Sequence, residues 1–522
     1  MKNNRSYSYR VALTVALGGF LMGFDASVIS GVVGFIETQF ELTKLQLGWA
    51  VSCLTLTSTL SMMISGPISD RIGRKKVLVI ASILFFISAL YSALSPNFAN
   101  LIIARMIGGF GVGAALITAP MYIAEISPPK IRGRLVSFNQ LNIVLGISVA
   151  FFTNYLILQL GKSEASWAQS LQFDLYNWRW MLGLEALPAI LYFLFLFFVP
   201  DSPRWLIMQG RKEEAIGIME KMSSKEEAEE EMKNILQSIE EDKHKEKAHF
   251  RELFLPAMRL VLTIGIVIAI LQQITGINSV FFYAPMIFEQ TGIGKDASFI
   301  QAIIIGLTNL VFTVVAILVV DRFGRKPLLI FGIAGIILSM SVLGTSFKKA
   351  EYTLTAQSIT QLSEIEGYDR LNQIEGITYK SDIQFKKAIA ELLGDQALVK
   401  HQGTIISSAI DINPWLVLIG IIGFVASFAV SLGPVMWILF SELFPNRLRG
   451  LAISFAGFIN SAISFLVQLL LPWELANIGN AGTFFIYGGF ALLGFIFVIS
   501  IVPETKGKSL EELEKILVRS KN

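Results

Sequence analysis

The stretch GFDASVISG (23–31) places Asp25 inside a run that is otherwise apolar. A charge at the centre of a bilayer costs roughly 2.5–3.5 kcal/mol on insertion scales, so it calls for a partner or a task. Arg105, which opens RMIGGFGVG, and Glu185 are two further charges in such runs. Arg105 is the natural partner for Asp25. A carboxyl's proton affinity depends on its burial and on neighbouring charge. A change in the Asp25–Arg105 separation would therefore load or release a proton, with Glu185 placed to tune or relay it. A fixed structural salt bridge is the alternative. Six amides, Gln140, Gln272, Gln273, Asn278, Asn309 and Asn460, also fall in apolar runs. Amides donate and accept, which suits a neutral ligand with many hydroxyls. A lone intramembrane amide can equally glue helices together. Phe428 and Trp437 can cover the apolar face of a ring. No nucleotide loop, metal cluster or nucleophile–base set is apparent, so the sequence does not read as an enzyme and calls for no metal or cofactor. Cys53 is the one cysteine, which excludes an intrachain disulfide. His244, His249 and His401 all lie in polar stretches, so an intramembrane proton carrier here must be an acid.

Those residues need a membrane scaffold. Of 522 residues, 53% are hydrophobic and 16% charged, against about 25% charged in soluble domains. A span needs about 20 mostly apolar residues. That rule predicts twelve, near 11–33, 47–68, 77–95, 101–124, 135–160, 180–199, 260–284, 298–320, 327–346, 414–440, 450–471 and 483–502. The first, preceded by Lys2, Arg5 and Arg10 and with no small-residue cleavage site after it, reads as a retained span rather than a leader. Gaps after even-numbered spans hold DRIGRKK (70–76), PPKIRGR (128–134), 201–259, DRFGRKP (321–327) and NRLRG (446–450). Apart from the gap at 347–412, those after odd-numbered spans are poor in Lys and Arg. The positive-inside rule then puts both termini in the cytoplasm.

The sequence also repeats. DRIGRKK at 70 returns as DRFGRKP at 321, an offset of 251, and Glu125 with Arg132-Gly133 returns as Glu442 with Arg449-Gly450, an offset of 317. The offsets differ by 66, which marks the polar stretch 347–412 as an insertion. Without it the chain is two parallel halves of six helices. The expected organisation is an N-terminal half (1–200), a cytoplasmic linker (201–259), a C-terminal half (260–503) carrying the external insert (347–412), and a tail (504–522). Ile216, Met219, Met222, Ile235 and Ile239 recur at helical spacing and predict amphipathic helices over 207–247. SDIQFKKAIAELLG (381–394) has a Ser/Asp start, an apolar stripe and a Gly stop, and predicts a helix. Gly276, between Gln273 and Asn278, predicts local unwinding, and Gly433-Pro434 predicts a bend. Asp70, Arg71, Arg74, Glu125 and Arg132, with Asp321, Arg322, Arg325, Glu442 and Arg449, could form charge latches. Exposed pairs contribute about 0–1 kcal/mol each, enough in a network to bias a balanced two-state equilibrium.

DRIGRKK, the R-G-R after Glu125, PDSPRW (200–205), QQITGIN (272–278), DRFGRKP, SELFPNRLRG (441–450) and PETKGKSLEELE (503–514) occur in one order. Together they resemble the sugar porter family of the major facilitator superfamily, most closely its bacterial proton-coupled xylose and hexose symporters. The resemblance covers nearly the whole chain except the insert. It implies an all-α fold of twelve transmembrane helices in two six-helix halves. By the same resemblance, sugar ligands are Gln272, Gln273 and Asn278 from QQITGIN, Gln140 from SFNQ, Trp437 from GPVMW, Asn309 before FT, and Asn460. An aspartate at position 25 goes with proton symport, and Glu185 matches a family carboxylate.

Met22 stands where family members often have Phe; Ile147 and Phe281 are apolar and look more like the hexose carriers than the xylose symporters, leaving hexose and pentose open with a lean to hexose. The expected function is secondary active import of a monosaccharide with a proton, by alternating access. Alternatives are proton-independent facilitation and a sugar sensor, which would be expected to carry a long signalling tail. The expected partners are the sugar, the proton and the bilayer, with no nucleic acid. The expected state is a monomer in a bacterial inner membrane.

Overall fold

The computed structural model describes residues 2–128, 131–244, 249–445, 447–508 and 512–513, with the backbone alone for 2–5, 242–244 and 321. Among the described residues, twelve helices are long and apolar enough to cross a membrane. Spans 1–6 are Ser6–Gln39, Lys44–Ile72, Arg74–Ala93, Phe98–Ile126, Arg132–Leu160 and Asn177–Leu196. Spans 7–12 are Pro256–Glu289, Gly294–Val320, Arg325–Lys348, Pro414–Leu443, Arg449–Asn477 and Gly479–Ile501. Many outrun the apolar stretches that predict them. Span 2 has 29 residues, about 43 Å of helix at 1.5 Å per residue, which covers the headgroup zones as well as the hydrocarbon. Side-chain caps stand at three starts among the described residues: Thr43 accepts from the Gln46 amide at 3.3 Å, Asn97 from that of Asn100 at 3.0 Å, and Asn413 from that of Trp415 at 3.0 Å, just before Pro414. Large apolar side chains such as Phe331 on span 9 (75% exposed) and Leu493 on span 12 (64%) lie exposed along the helices, where lipid covers a membrane protein.

Among the described residues three spans are broken, two of them one turn before a proline and one at a glycine. A proline ring displaces the carbonyl four residues earlier, so the break falls one turn N-terminal to it. Span 6 divides into Asn177–Gly183 and Ala186–Leu196, four residues before Pro188. Span 10 divides into Pro414–Val430 and Leu432–Leu443 at Ser431 (φ −122°, ψ −95°). Gly433-Pro434 predicts that bend, and the ring places it two residues before the Gly. In span 7, Arg259–Ile274 and Ile277–Glu289 meet at Gly276, whose φ of 90° is left-handed and suits glycine. Pro285 adds a kink at Tyr283.

Span 3 packs on span 4 and on the second piece of span 6; span 9 packs on the first piece of span 10 and on span 12. The neighbours repeat six spans later, as a parallel repeat requires. The fold is all-α in its membrane part, with twelve spans in two six-helix halves.

By contact the chain forms two compact units. One contains Met1–Ser27, Cys53–Ala150 and Arg179–Ala248; the other contains Val28–Ser52, Phe151–Trp178 and His249–Asn522. The ends of spans 1 and 5 and the start of span 2 thus belong with spans 7–12 and the insert. Domain boundaries at 200 and 260 remain our proposal from the repeat.

The linker carries helices Pro203–Met208, Lys212–Met222 and Lys225–His244. Met219 and Met222 are buried, and Ile235 and Ile239 pack on Trp205, Leu206, Ile207 and Ala215. The predicted stripe is therefore the packed face at Met219, Met222, Ile235 and Ile239, with Ile218 rather than Ile216 packed beside them. The insert has its own core, including Tyr352, Phe385, Ile389, Ile405 and Ile406. Its helix Asp382–Leu393 runs from Ser381 to Gly394 as predicted. The sequence did not anticipate the second helix, Asp395–Ala409, or the antiparallel sheet. In that sheet β1 (Glu351–Thr353) lies between β2 (Thr378–Tyr379) and β3 (Ile410–Asp411).

Candidate functional site

Two polar clusters lie inside the spans, one in each unit. The first is ionic. Arg105 Nη1 is 3.6 Å from Asp25 Oδ1, and both side chains are 2% exposed. RMIGGFGVG explains how a charge pair fits there. A Cβ on Gly108 would meet Ser88 Oγ at 2.5 Å and Asp25 Oδ2 at 2.7 Å, and one on Gly109 would strike the Leu54 carbonyl at 2.5 Å. Arg105 and Gly108 are three apart and share a helix face, so the arginine and the slot for the carboxylate face the same way. Glu185 is buried at the break in span 6 and lies within electrostatic reach of Asp25 and Arg105. Asp25 Oδ2 and Glu185 Oε1 have no hydrogen-bond partner. Such unsatisfied buried oxygens are costly, and a proton on either carboxyl would lower that cost.

The second cluster is made of amides. Gln272 Nε2 donates to the Leu432 carbonyl (3.0 Å), and Gln273 Nε2 donates to Gln272 Oε1 (3.1 Å) and Asn460 Oδ1 (3.2 Å). Asn278 Nδ2 donates to Gln273 Oε1 (2.9 Å) and Ser464 Oγ (2.7 Å). Asn460 Nδ2 donates to Gln272 Oε1 (2.8 Å) and the Ala269 carbonyl (2.9 Å). The turn at Gly276 lets Gln273 and Asn278 meet although they are five apart. The break in span 10 exposes the Leu432 carbonyl to Gln272. Phe428 and Trp437 flank that break; Phe428 is half-buried and Trp437 is 49% exposed.

Gln272, Gln273, Asn278 and Asn460 are therefore brought together. Asn309 is buried in span 8, outside this network. Gln140 lies in the other unit with an exposed side chain. Sequence reading missed Ser464 and Gln468, whose Nε2 donates to Ser464 Oγ at 2.8 Å. The signal was available: Asn460, Ser464 and Gln468 follow i, i+4, i+8 spacing on one helix face.

The charge motifs form twin clusters. In one unit, Arg74 donates from Nη2 to Glu125 Oε1 (2.8 Å) and pairs with Asp70 (2.9 Å), while Ser202 Oγ donates to Glu125 Oε2. In the other, Arg325 Nη2 donates to Glu442 Oε1 (2.9 Å), and Thr505 Oγ1 donates to Glu442 Oε2 (2.6 Å). Pro200-Asp201-Ser202 and Pro503-Glu504-Thr505 are thus a further repeat. Against burial, which pushes the Glu504 carboxyl up, backbone N–H groups including those of Lys506, Arg325 and Lys326 hold it below its ordinary range. Arg132 pairs with Glu231 of the linker at 2.9 Å, and Arg449 Nε donates to the Phe444 carbonyl at 3.2 Å. Burial pushes the Glu231 carboxyl up, against the pull of Arg132. Arg71 and Arg322 are exposed; the Asp321 side chain lies outside the described residues. The inner arginine of each motif, Arg74 or Arg325, is the hub, rather than its Asp-Arg start.

Comparison with known proteins agrees with this architecture. The profile of the "sugar (and other) transporter" family matches residues 11–362 and 398–517. The chain is 35% identical, over 98% of its length, to the arabinose-proton symporter of Bacillus subtilis (strain 168), covering 95% of that protein. It is also 35% identical to the D-xylose-proton symporter of Escherichia coli (strain K12), over 98% of this chain and 96% of that one. The inward-open structure of the xylose transporter XylE from E. coli matches with a TM-score of 0.74 and 33% identity, over 98% of this chain and 100% of that one.

Proposed function

We propose, from the premise that this chain belongs to the sugar (and other) transporter family, a role for each of the two buried clusters. The protein is a secondary active transporter that moves a monosaccharide together with a proton by alternating access. It is a multi-pass integral membrane protein. The Asp25–Arg105 pair, with Glu185 beside it, is the proton-coupling site. The single observation that carries this is the pair of under-satisfied buried carboxylates: Asp25 at 3.6 Å from Arg105, and one oxygen each on Asp25 and Glu185 without a hydrogen-bond partner. An electrically settled salt bridge would be closer and fully bonded.

The amide cluster of Gln272, Gln273, Asn278 and Asn460 binds the sugar, because amides in fixed orientations read hydroxyls as donors and acceptors. Phe428 and Trp437 supply apolar cover. Asn309 and Gln140 are assigned sugar contacts on the family resemblance alone. The twin Arg–Glu clusters act as latches that bias the conformational equilibrium. The Lys and Arg distribution supports cytoplasmic termini, and an inward proton gradient would drive import. We place a monomer in a bacterial inner membrane, carrying out no chemistry on the sugar and binding no nucleic acid.

The two relatives above are named for pentoses, whereas Ile147 and Phe281 lean to hexose, so both classes belong in the test. Purified protein in liposomes, given an inward sugar gradient without a pH gradient, is expected to acidify the lumen for at least one of xylose, arabinose, glucose, galactose and myo-inositol. Sugar entry without acidification would make the protein a facilitator and Asp25 a structural partner of Arg105.

A further inference from the structure

On the face that carries the insert, a cavity of about 330 Å³ lies wholly within the second unit. Its walls are the ends of spans 1 and 7 and the start of span 8, and its roof is the insert helix Asp395–Ala409. The lining has a definite chemistry. Span 1 contributes Ser30 and Glu37, span 7 contributes Glu289 and Gln290, and the roof contributes His401 and Gln402. Ser30 is 2% exposed and Gln290 5%, and Ser30 Oγ and Gln290 Oε1 have no hydrogen-bond partner. Lys295 and Lys400 line the chamber too, and Lys295 Nζ covers the Phe35 ring at 4.7 Å from its centre.

The lining selects among ligand classes. Glu37 pairs with Lys44, and Glu289 is offset by the lining lysines Lys295 and Lys400, so the charges nearly balance and the lining favours a neutral ligand over an anion or a cation. Among the described residues no three His, Cys, Asp or Glu side chains converge as a metal site would require. Hydroxyl, amide and carboxylate groups around a volume at the lower end of small-molecule cavities suit a neutral polyhydroxy ligand. We propose that this chamber is a second monosaccharide site, a holding site roofed by the insert and separate from the amide cluster. Glu289 lies eleven residues beyond Asn278, about 16 Å along span 7, so one sugar does not fill both. The proposal rests on the reading of the protein as a sugar transporter, and it gives the insert a task.

Gly34 supplies the test. It lines the chamber, and a Cβ there would meet nothing within 4 Å, so Gly34→Val fills space without a clash. Equilibrium binding of radiolabelled D-xylose and D-glucose to the full chain in nanodiscs is expected to reveal two sites. Gly34→Val should weaken one at least about tenfold, the equivalent of one hydrogen bond at 1.4 kcal/mol per decade, and leave the other. Gln273→Ala should do the reverse. Thr404→Trp, from the exposed side of the roof, repeats the Gly34→Val result by a different route. One site in the wild type, abolished by Gln273→Ala and untouched by both chamber variants, overturns the holding site while leaving the transport reading intact. Folded wild-type protein that binds neither sugar, nor any other of the transport panel, overturns both.

Discussion

The two buried clusters solve the problem of polarity in a membrane in opposite ways. In the amide cluster, donors from spans 7 and 11 reach acceptors at 2.7–3.2 Å, many of them side chains of the same network. In the ionic cluster, one contact spans 3.6 Å, and Asp25 Oδ2 and Glu185 Oε1 bond to nothing. A satisfied network holds side chains in fixed orientations and specifies geometry. An under-satisfied charge pair is poised to change its protonation state. The first arrangement suits recognition of a sugar, and the second suits coupling to a proton.

This contrast can be broken or sharpened by substitution. The largest effect is expected for Asp25→Asn, which should abolish proton-driven accumulation in liposomes yet leave sugar exchange within a few-fold of wild type. Next comes Gln273→Ala, which removes a group bonded on both sides. A buried partner left unsatisfied costs about 1–3 kcal/mol, so sugar Kd measured by titration calorimetry should rise roughly 5- to 150-fold. Glu185→Gln removes a like charge near Asp25. The pH profile of uptake should therefore change, with sugar Kd unchanged. The smallest effect is expected for Arg132→Ala, whose partner Glu231 sits beside solvent. A partly exposed pair contributes about 0–1 kcal/mol, so the transport rate should change less than about fivefold. A larger loss there would mean that surface charge, rather than the buried pair, sets the balance between states.

Much of this was legible in the sequence, for physical reasons. Twelve apolar runs and a charge parity define twelve spans because the bilayer allows little else. Asp25, Arg105 and Glu185 stood out because charges in apolar runs are rare. QQITGIN announced its own turn, since Gly276 takes a conformation that other residues resist. Ser464 and Gln468 escaped notice because a serine and a single glutamine in a span look ordinary until the helix face is drawn. The hub role of Arg74 and Arg325 was hidden because only packing decides which arginine of a basic motif turns inward. The insert's sheet was illegible because strands of two or three residues leave no periodic pattern.

The central claim is that proton coupling and sugar recognition reside in separate clusters. Sugar Kd and sugar-driven lumenal acidification should therefore be measured together on wild type, Asp25→Asn and Gln273→Ala in the same liposomes. The account predicts that Asp25→Asn keeps its Kd and loses acidification, while Gln273→Ala raises Kd and still acidifies the lumen at saturating sugar. Acidification that survives in Asp25→Asn, or a loss of both properties in each variant, would contradict it.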